Sequence, residues 1–220
     1  MQRERVVVLL SRWIQHVGAD DRRRFDFIGI ELSLDYPVPK LKKYRQTCRI
    51  DALARERSGE KRVLILETKT SGRSAQLTMD GVVLGDQISM YCYMASKYLG
   101  EPVNWALPDV AYWNTGSFNP ANISFHRPSG LIYRSKEDII DFEEGLRQHM
   151  VELAQRKKAY ESGVPLSITF RRNTTYCVSY GHTCEYAHLC RKGFSDVGQP
   201  ELIKVTRSKD GFIDETDVTI

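Results

Sequence analysis

Asp51 is the only acid in the stretch Arg49-Ile50-Asp51-Ala52, and Glu67-Thr68-Lys69 follows sixteen residues later, at the end of the apolar run Val63-Leu64-Ile65-Leu66. Alternation along an extended strand places Val63, Ile65, Glu67 and Lys69 on one face, so the acid and the lysine point the same way. A hairpin between the two segments brings Asp51 to join them. Two carboxylates converging on one spot repel unless a cation sits between them, and hard oxygen ligands suit Mg²⁺ or Mn²⁺. Such an ion activates water and neutralises charge on a phosphoryl oxygen, while a lysine beside it orients the water or stabilises the transition state. Against this stands a plainer reading, in which Glu67 and Lys69 sit where a strand emerges into solvent and Asp51 pairs with an arginine.

Downstream, Gln87 and Tyr91 lie four residues apart, on one face of a helix that follows the strand. Near the C-terminus, Cys177, Cys184 and Cys190 supply three soft ligands within fourteen residues, with His182 and His188 between them. Thiols at that density in an intracellular chain suit a metal better than packing. Cys48 and Cys92 read as buried thiols of a strand and a helix.

The elements that must position these groups follow from periodicity. Val6, Val7, Leu10, Trp13, Ile14 and Val17 have helical spacing, which predicts a helix over Arg3 to Val17 ending at Gly18. Phe25 to Leu34 reads as extended, and Tyr36 to Tyr44, rich in Pro and Lys, as a connection. A hairpin follows, Thr47 to Glu56 with Arg62 to Thr70, turning at Arg57-Ser58-Gly59-Glu60. The unbroken apolar run in its second strand implies burial on both faces. Then come a helix from Asp80 to Tyr98 stopped by Gly100 and Pro102, a strand from Val103 to Trp113, a loop from Asn114 to Pro128, and a long helix from Ser135 to Glu161. This predicts an α/β (α+β) core over residues 1–170, a Cys-rich module over 171–195 and a polar tail over 196–220.

Asp51, then Glu67-x-Lys69-Thr70, then Gln87-x-x-x-Tyr91, then the cysteine cluster resembles the PD-(D/E)XK nuclease superfamily, in its RecB/AddB/Cas4-like branch with many phage relatives. The similarity runs from about Glu31 to Cys190. It implies a restriction-endonuclease-like mixed sheet flanked by helices, and a Mg²⁺- or Mn²⁺-dependent deoxyribonuclease, expected to work as an exonuclease on DNA ends or single strands. Asp51 and Glu67 would be metal ligands, joined by the carbonyl of Thr68, with Lys69 catalytic and Gln87 and Tyr91 bracing the site. Glu31 occupies the place of the upstream acid such nucleases carry, or else alternates with apolar neighbours and faces solvent. Arg49, Arg73 and Tyr91 are the expected DNA contacts. In the branch, three C-terminal cysteines and one from an N-terminal segment hold a [4Fe–4S] cluster. Here no cysteine precedes Cys48, so three outcomes stay open: an iron–sulfur site with another fourth ligand, a Cys₃His Zn²⁺ site, or no metal.

Composition limits the alternatives. The chain has 220 residues and a net charge of +4, with 41% hydrophobic and 27% charged residues. No apolar run approaches the ~20 residues of a membrane span, and the patch from Val6 to Leu10 is too short for a signal peptide, so a cytoplasmic (intracellular) protein is expected. The charge is unevenly placed. Between Lys40 and Arg62 stand nine basic residues against three acids, flanking Asp51. A backbone-binding role fits this segment. Partners consistent with the resemblance are DNA together with a helicase, a recombinase or a CRISPR adaptation protein. A catalytically inactive module that binds DNA or a partner, and a zinc-stabilised protein of unrelated fold, are the competing readings.

Overall fold

The computed structural model describes residues 2–72, 74–113 and 122–169, and the backbone of 178–179 and 182–183. The chain divides into two compact units, Met1–Met150 and Val151–Ile220. The candidate chemistry at Asp51, Glu67 and Lys69 belongs to the first.

That unit opens with α1 (Gln2–Trp13), which does not stop at Gly18 as expected. It passes through a π-helical turn, Ile14–Gly18, into α2 (Ala19–Arg24). Gly18 keeps right-handed helical angles (φ −63°, ψ −32°), and the chain turns extended only at Phe25, after three arginines that favour the negative end of a helix.

Strands β1 (Phe25–Val38) and β2 (Leu41–Glu56) form a long antiparallel hairpin. The segment 36–44, expected as a connection, instead continues both strands to the pair Val38↔Leu41. Only Pro39 and Lys40 make the reversal, with Lys40 at φ 61°. Pro37 is tolerated because β1 is an edge strand, where a missing N–H costs no ladder bond. β2 then pairs antiparallel with β3 (Val63–Ser71), but only over Ala52↔Leu66 to Arg55↔Val63. The hairpin is therefore two ribbons in one. Near its base it belongs to the sheet, and from Ile50 to the turn it runs on as two strands.

The expected helix over Asp80 to Tyr98 is two helices, α3 (Ala75–Leu84), capped by the Ser74 hydroxyl, and α4 (Asp86–Leu99). The break is at Gly85, whose extended backbone (φ −79°, ψ 162°) brings it so close that an added Cβ would lie 2.6 Å from the Gly81 carbonyl oxygen. α4 ends as expected at Gly100, at φ 70°. β4 (Trp105–Tyr112) returns parallel to β3, completing a crossover. Within the expected loop, β5 (Ser124–His126) pairs antiparallel with β4, as does β6 (Ile132–Tyr133) further along. Pro108 falls between these two pairings, where none of the described residues pairs with β4 on that side. The described strands thus form a mixed sheet in the order β1-β2-β3-β4-β5, with β6 also on β4.

Both faces of β3 are buried, which accounts for its continuous apolar run. Val63 and Ile65 pack with Leu34, Ile50, Leu53, Ile88 and Met94 on the α4 side, while Leu64 and Leu66 pack with Phe25, Ala54 and Leu107 on the other. α5 (Lys136–Glu161) begins with a reciprocal cap, in which the Asp138 N–H donates to Ser135 Oγ and the Ser135 N–H to Asp138 Oδ2. The second unit holds the end of α5, the short α6 (Leu166–Thr169), and β7 (Val178–Ser179) paired with β8 (His182–Thr183).

Candidate active site

Asp51 sits where β2 leaves β3. Ile50 and Leu53 both pack into the α4-side core, whereas Asp51 and Ala52 both line a cavity on the opposite face. The alternation of β2 therefore slips by one residue at Asp51. β1 slips at the same level: Ile30 and Glu31 line the cavity together, and Leu32 packs toward α4. Glu31 stands opposite Asp51, between the pairs Ile30↔Ala52 and Leu32↔Ile50, with φ 49°. A left-handed backbone at a residue other than glycine is strained, and such strain gathers at functional sites.

Beyond the last β2–β3 pair, the Thr68 N–H has no backbone acceptor on β2 and donates instead to Asp51 Oδ2 at 2.8 Å. Thus a side chain takes over where the ladder ends. In an extended residue the N–H and C=O point to the same strand edge, so the Thr68 carbonyl opens toward Asp51 as well.

Glu67 and Lys69 share a face, as alternation requires, and form an ion pair. Glu67 is 1% exposed, whereas Lys69 is one-third exposed. Gln87, in the first turn of α4, donates through Nε2 to Glu67 Oε1 at 3.0 Å and to the Tyr91 hydroxyl at 2.8 Å. The Gly85 break starts α4 at Asp86 and so sets the position of Gln87. Glu67 Oε2 is buried with no hydrogen-bond partner among the described residues. Burial holds the Glu67 carboxyl above the usual carboxylate range; Lys69 pulls against this, and the nearby negative charge of Asp51 adds to it. Burial likewise raises the Tyr91 hydroxyl.

An unpartnered buried carboxylate oxygen beside a second carboxylate is a donor set for a hard divalent cation. Among the described residues no group of three His, Cys, Asp or Glu side chains closes on one point. Two carboxylates with a carbonyl suit Mg²⁺, which keeps much of its own water.

The other expected site residues fall in different surroundings. Glu31 is exposed on the cavity rim and ion-paired with Arg49 at 3.0 Å, so these two engage each other. Tyr91 is 6% exposed, its ring packed in the core and not at a surface where a base could stack. Cys48 packs partly buried against the same core, its thiol pushed up to about 11, and buried Cys92 is pushed up to about 12, both by desolvation. Arg73, Cys177, Cys184 and Cys190 lie outside the described residues, as does the tail.

One cluster escaped the sequence reading. Arg127 forks between two buried acids, donating to Asp109 Oδ1 at 2.6 Å and to Asp21 Oδ1 and Oδ2 at 2.7 and 2.9 Å. It joins α2, β4 and the segment after β5, and its acids line the cavity of roughly 630 Å³ that also holds Asp51 and Thr68. The available signal was a lone acid in Ala106-Leu107-Pro108-Asp109-Val110-Ala111, where an apolar strand has no use for an unpaired charge.

The family model of the PD-(D/E)XK nuclease superfamily matches residues 1–191. No curated protein matches the chain. Thirteen solved chains do. One, described as "Crystal structure of SSO0001", has a TM-score of 0.36 and 15% identity, over 63% of this chain and 58% of that one. No helix among the described residues is long and apolar enough to cross a membrane.

Proposed function

Because this chain belongs to the PD-(D/E)XK nuclease superfamily, whose members hydrolyse phosphodiesters, we propose that it is a Mg²⁺- or Mn²⁺-dependent deoxyribonuclease with Asp51, Glu67 and Lys69 at its centre. The observation that carries the reading is the buried Oε2 of Glu67, without a hydrogen-bond partner among the described residues, on a carboxyl that also feels the Asp51 charge. A bare carboxylate oxygen in the interior costs free energy that a bound cation offsets. Asp51, Glu67 and the Thr68 carbonyl hold the ion, which when bound supplies an acidified water and a counter-charge for the phosphate.

The chain's own groups do the rest. Lys69, partly exposed at the strand end, orients the attacking water and steadies charge developing on the phosphoryl oxygens. Gln87 fixes the Glu67 rotamer through Oε1, leaving Oε2 as the open ligand, and Tyr91 fixes Gln87 in turn. Glu31 reaches the site from the strained position opposite Asp51 once Arg49 turns to a phosphate. Exonucleolytic action on ends, kinship with the RecB/AddB/Cas4-like branch, and a helicase, recombinase or CRISPR adaptation partner extend the proposal on the sequence resemblance alone. A thiolate-held iron–sulfur cluster at Cys177, Cys184 and Cys190 rests on the same resemblance and Zn²⁺ there on the density of soft ligands, and metal analysis with a visible spectrum of anaerobically purified protein distinguishes the two.

The test is digestion of end-labelled linear and circular DNA with Mg²⁺ or Mn²⁺. Expected is degradation that EDTA stops, with loss of label from ends and circles left intact. DNA binding without any cleavage under either metal would overturn the enzyme reading.

A further inference from the structure

Between Ser33 and Arg49 the β1–β2 ribbon has two distinct faces. Leu32, Leu34, Tyr36, Cys48 and Ile50 pack into the α4-side core. Ser33, Asp35, Pro37, Lys43, Arg45, Thr47 and Arg49 are all exposed on the opposite face. That outer face leads from the turn to Glu31 and Asp51 and so into the cavity beside the proposed centre. Five basic residues stand along it and at its tip (Lys40, Lys42, Lys43, Arg45, Arg49) against Glu31 and Asp35. The two acids are taken up by Arg49 and Arg45, and Glu144 of α5, whose charge Lys40 feels, is paired with Arg147, leaving the lysines to set the charge of the tip.

We propose that this ribbon is an arm for double-stranded DNA, its outer face and lysine tip holding the phosphate backbone about eight base pairs from the bond cleaved. The proposal rests on reading the site as a DNA nuclease and names the form of its substrate. The reach follows from strand geometry. Lys43 is eight residues from Asp51, or roughly 27 Å of extended chain, and a duplex rises about 3.4 Å per base pair. The choice of duplex over single strand follows from what the outer face lacks. Single strands are held largely by bases stacked on aromatic side chains, and no aromatic residue lies on this face from Ser33 to Arg49. Tyr36 packs into the core and Tyr44 is half-buried on the inner alternation. A straight row of cations without stacking platforms reads backbone charge only.

The experiment measures binding in EDTA, by fluorescence anisotropy, to duplexes of 5, 10 and 20 base pairs and to a 20-nucleotide single strand, for the full chain and for Lys40→Gln/Lys42→Gln/Lys43→Gln. The full chain is expected to bind the 10-mer duplex about tenfold more tightly than the 5-mer. The triple variant should lose that gain, lower the salt slope for duplex by about 2.7 (~0.9 per phosphate contact) and bind the single strand within about twofold of the parent. Unchanged duplex binding in the variant, or equal losses on both substrates, would overturn the arm. Asp35→Asn probes the same face with opposite sign. By releasing Arg45 it should tighten duplex binding severalfold, and unchanged or weaker binding counts against the proposal. Because EDTA removes chemistry from the measurement, the two readings fail separately: length-dependent duplex binding without metal-dependent cleavage sinks the nuclease and keeps the arm. Cleavage with a duplex-indifferent triple variant does the reverse.

Discussion

The Asp51 carboxylate accepts the Thr68 N–H at 2.8 Å at the point where β2 and β3 stop pairing. One side chain thereby takes the place of a backbone acceptor where the ladder ends. The same acid thus has a structural and a proposed chemical task, and two substitutions separate them. Asp51→Asn keeps an oxygen able to accept the Thr68 N–H but removes the charge. Its unfolding temperature should stay near the parent's while metal-dependent hydrolysis is lost. Asp51→Ala should lose hydrolysis and also destabilise by about 1–3 kcal/mol, because the Thr68 N–H is left without its partner. Thermal unfolding and oligonucleotide digestion of both variants check this.

Glu67 should be a destabilising residue in the metal-free protein. Its folded-state pKa is raised by burial, so folding favours its protonated form and stability falls as pH rises through that pKa. A divalent ion should restore what ionisation removes. In Glu67→Gln the metal-free protein should melt higher than the parent at neutral pH, lose this pH dependence and gain nothing from added Mg²⁺. Melting curves across pH, with Mg²⁺ and with EDTA, read all three effects.

Lys69→Ala should reduce turnover by about 10²–10³-fold, the usual loss when one group facing transition-state charge is removed. Metal-induced thermal stabilisation should persist in this variant, since Lys69 is not placed among the ligands. Single-turnover cleavage at saturating Mn²⁺ makes the comparison.

In the proposed centre Gln87 acts as a positioning residue. Gln87→Ala leaves Glu67 Oε1 to the Lys69 ion pair alone and takes a partner from the Tyr91 hydroxyl, and the metal concentration for half-maximal activity should rise about 10–100-fold. Turnover at saturating metal should fall less. Tyr91→Phe, which keeps Gln87 on Glu67, should shift the metal requirement by a smaller factor, and titrations of activity against Mg²⁺ resolve the order.

Arg127 holds Asp21 and Asp109, both buried. Arg127→Met leaves two buried carboxylates unpaired and should cost about 3–5 kcal/mol in urea unfolding. Burial already raises the Asp109 carboxyl, so without the guanidinium that acid favours protonation and the deficit should shrink on acidification. Replacing all three residues by apolar ones of similar size should recover most of the loss.

How far the sequence reached can be read from particular elements. β3, α4 from Asp86 onward and α5 were legible because each carries a local signal: an unbroken apolar run, a glycine stop, a serine at the helix start. The chemical types and order of Asp51, Glu67, Lys69, Gln87 and Tyr91 were legible too, and the spacing that puts Gln87 and Tyr91 on one helix face is the one their hydrogen bond uses. Local periodicity assumes an unbroken strand, and that assumption failed at Asp51. Facing slips in β1 and β2, with Glu31 at φ 49°, arise from pairing between segments twenty residues apart, which no window along one segment contains. The exposure of Pro37 on an edge and the split of α3 from α4 at Gly85 were likewise fixed by neighbours. The sequence by itself determined which groups are available and that a buried strand delivers an acid and a lysine together. Tertiary structure decided that Glu67 is desolvated to the point of an orphaned oxygen, that Tyr91 is walled into the core, and that Asp21, Asp109 and Arg127 meet. Burial and charge pairing depend on what packs across space, and those terms enter the free energy only when distant segments close on one another.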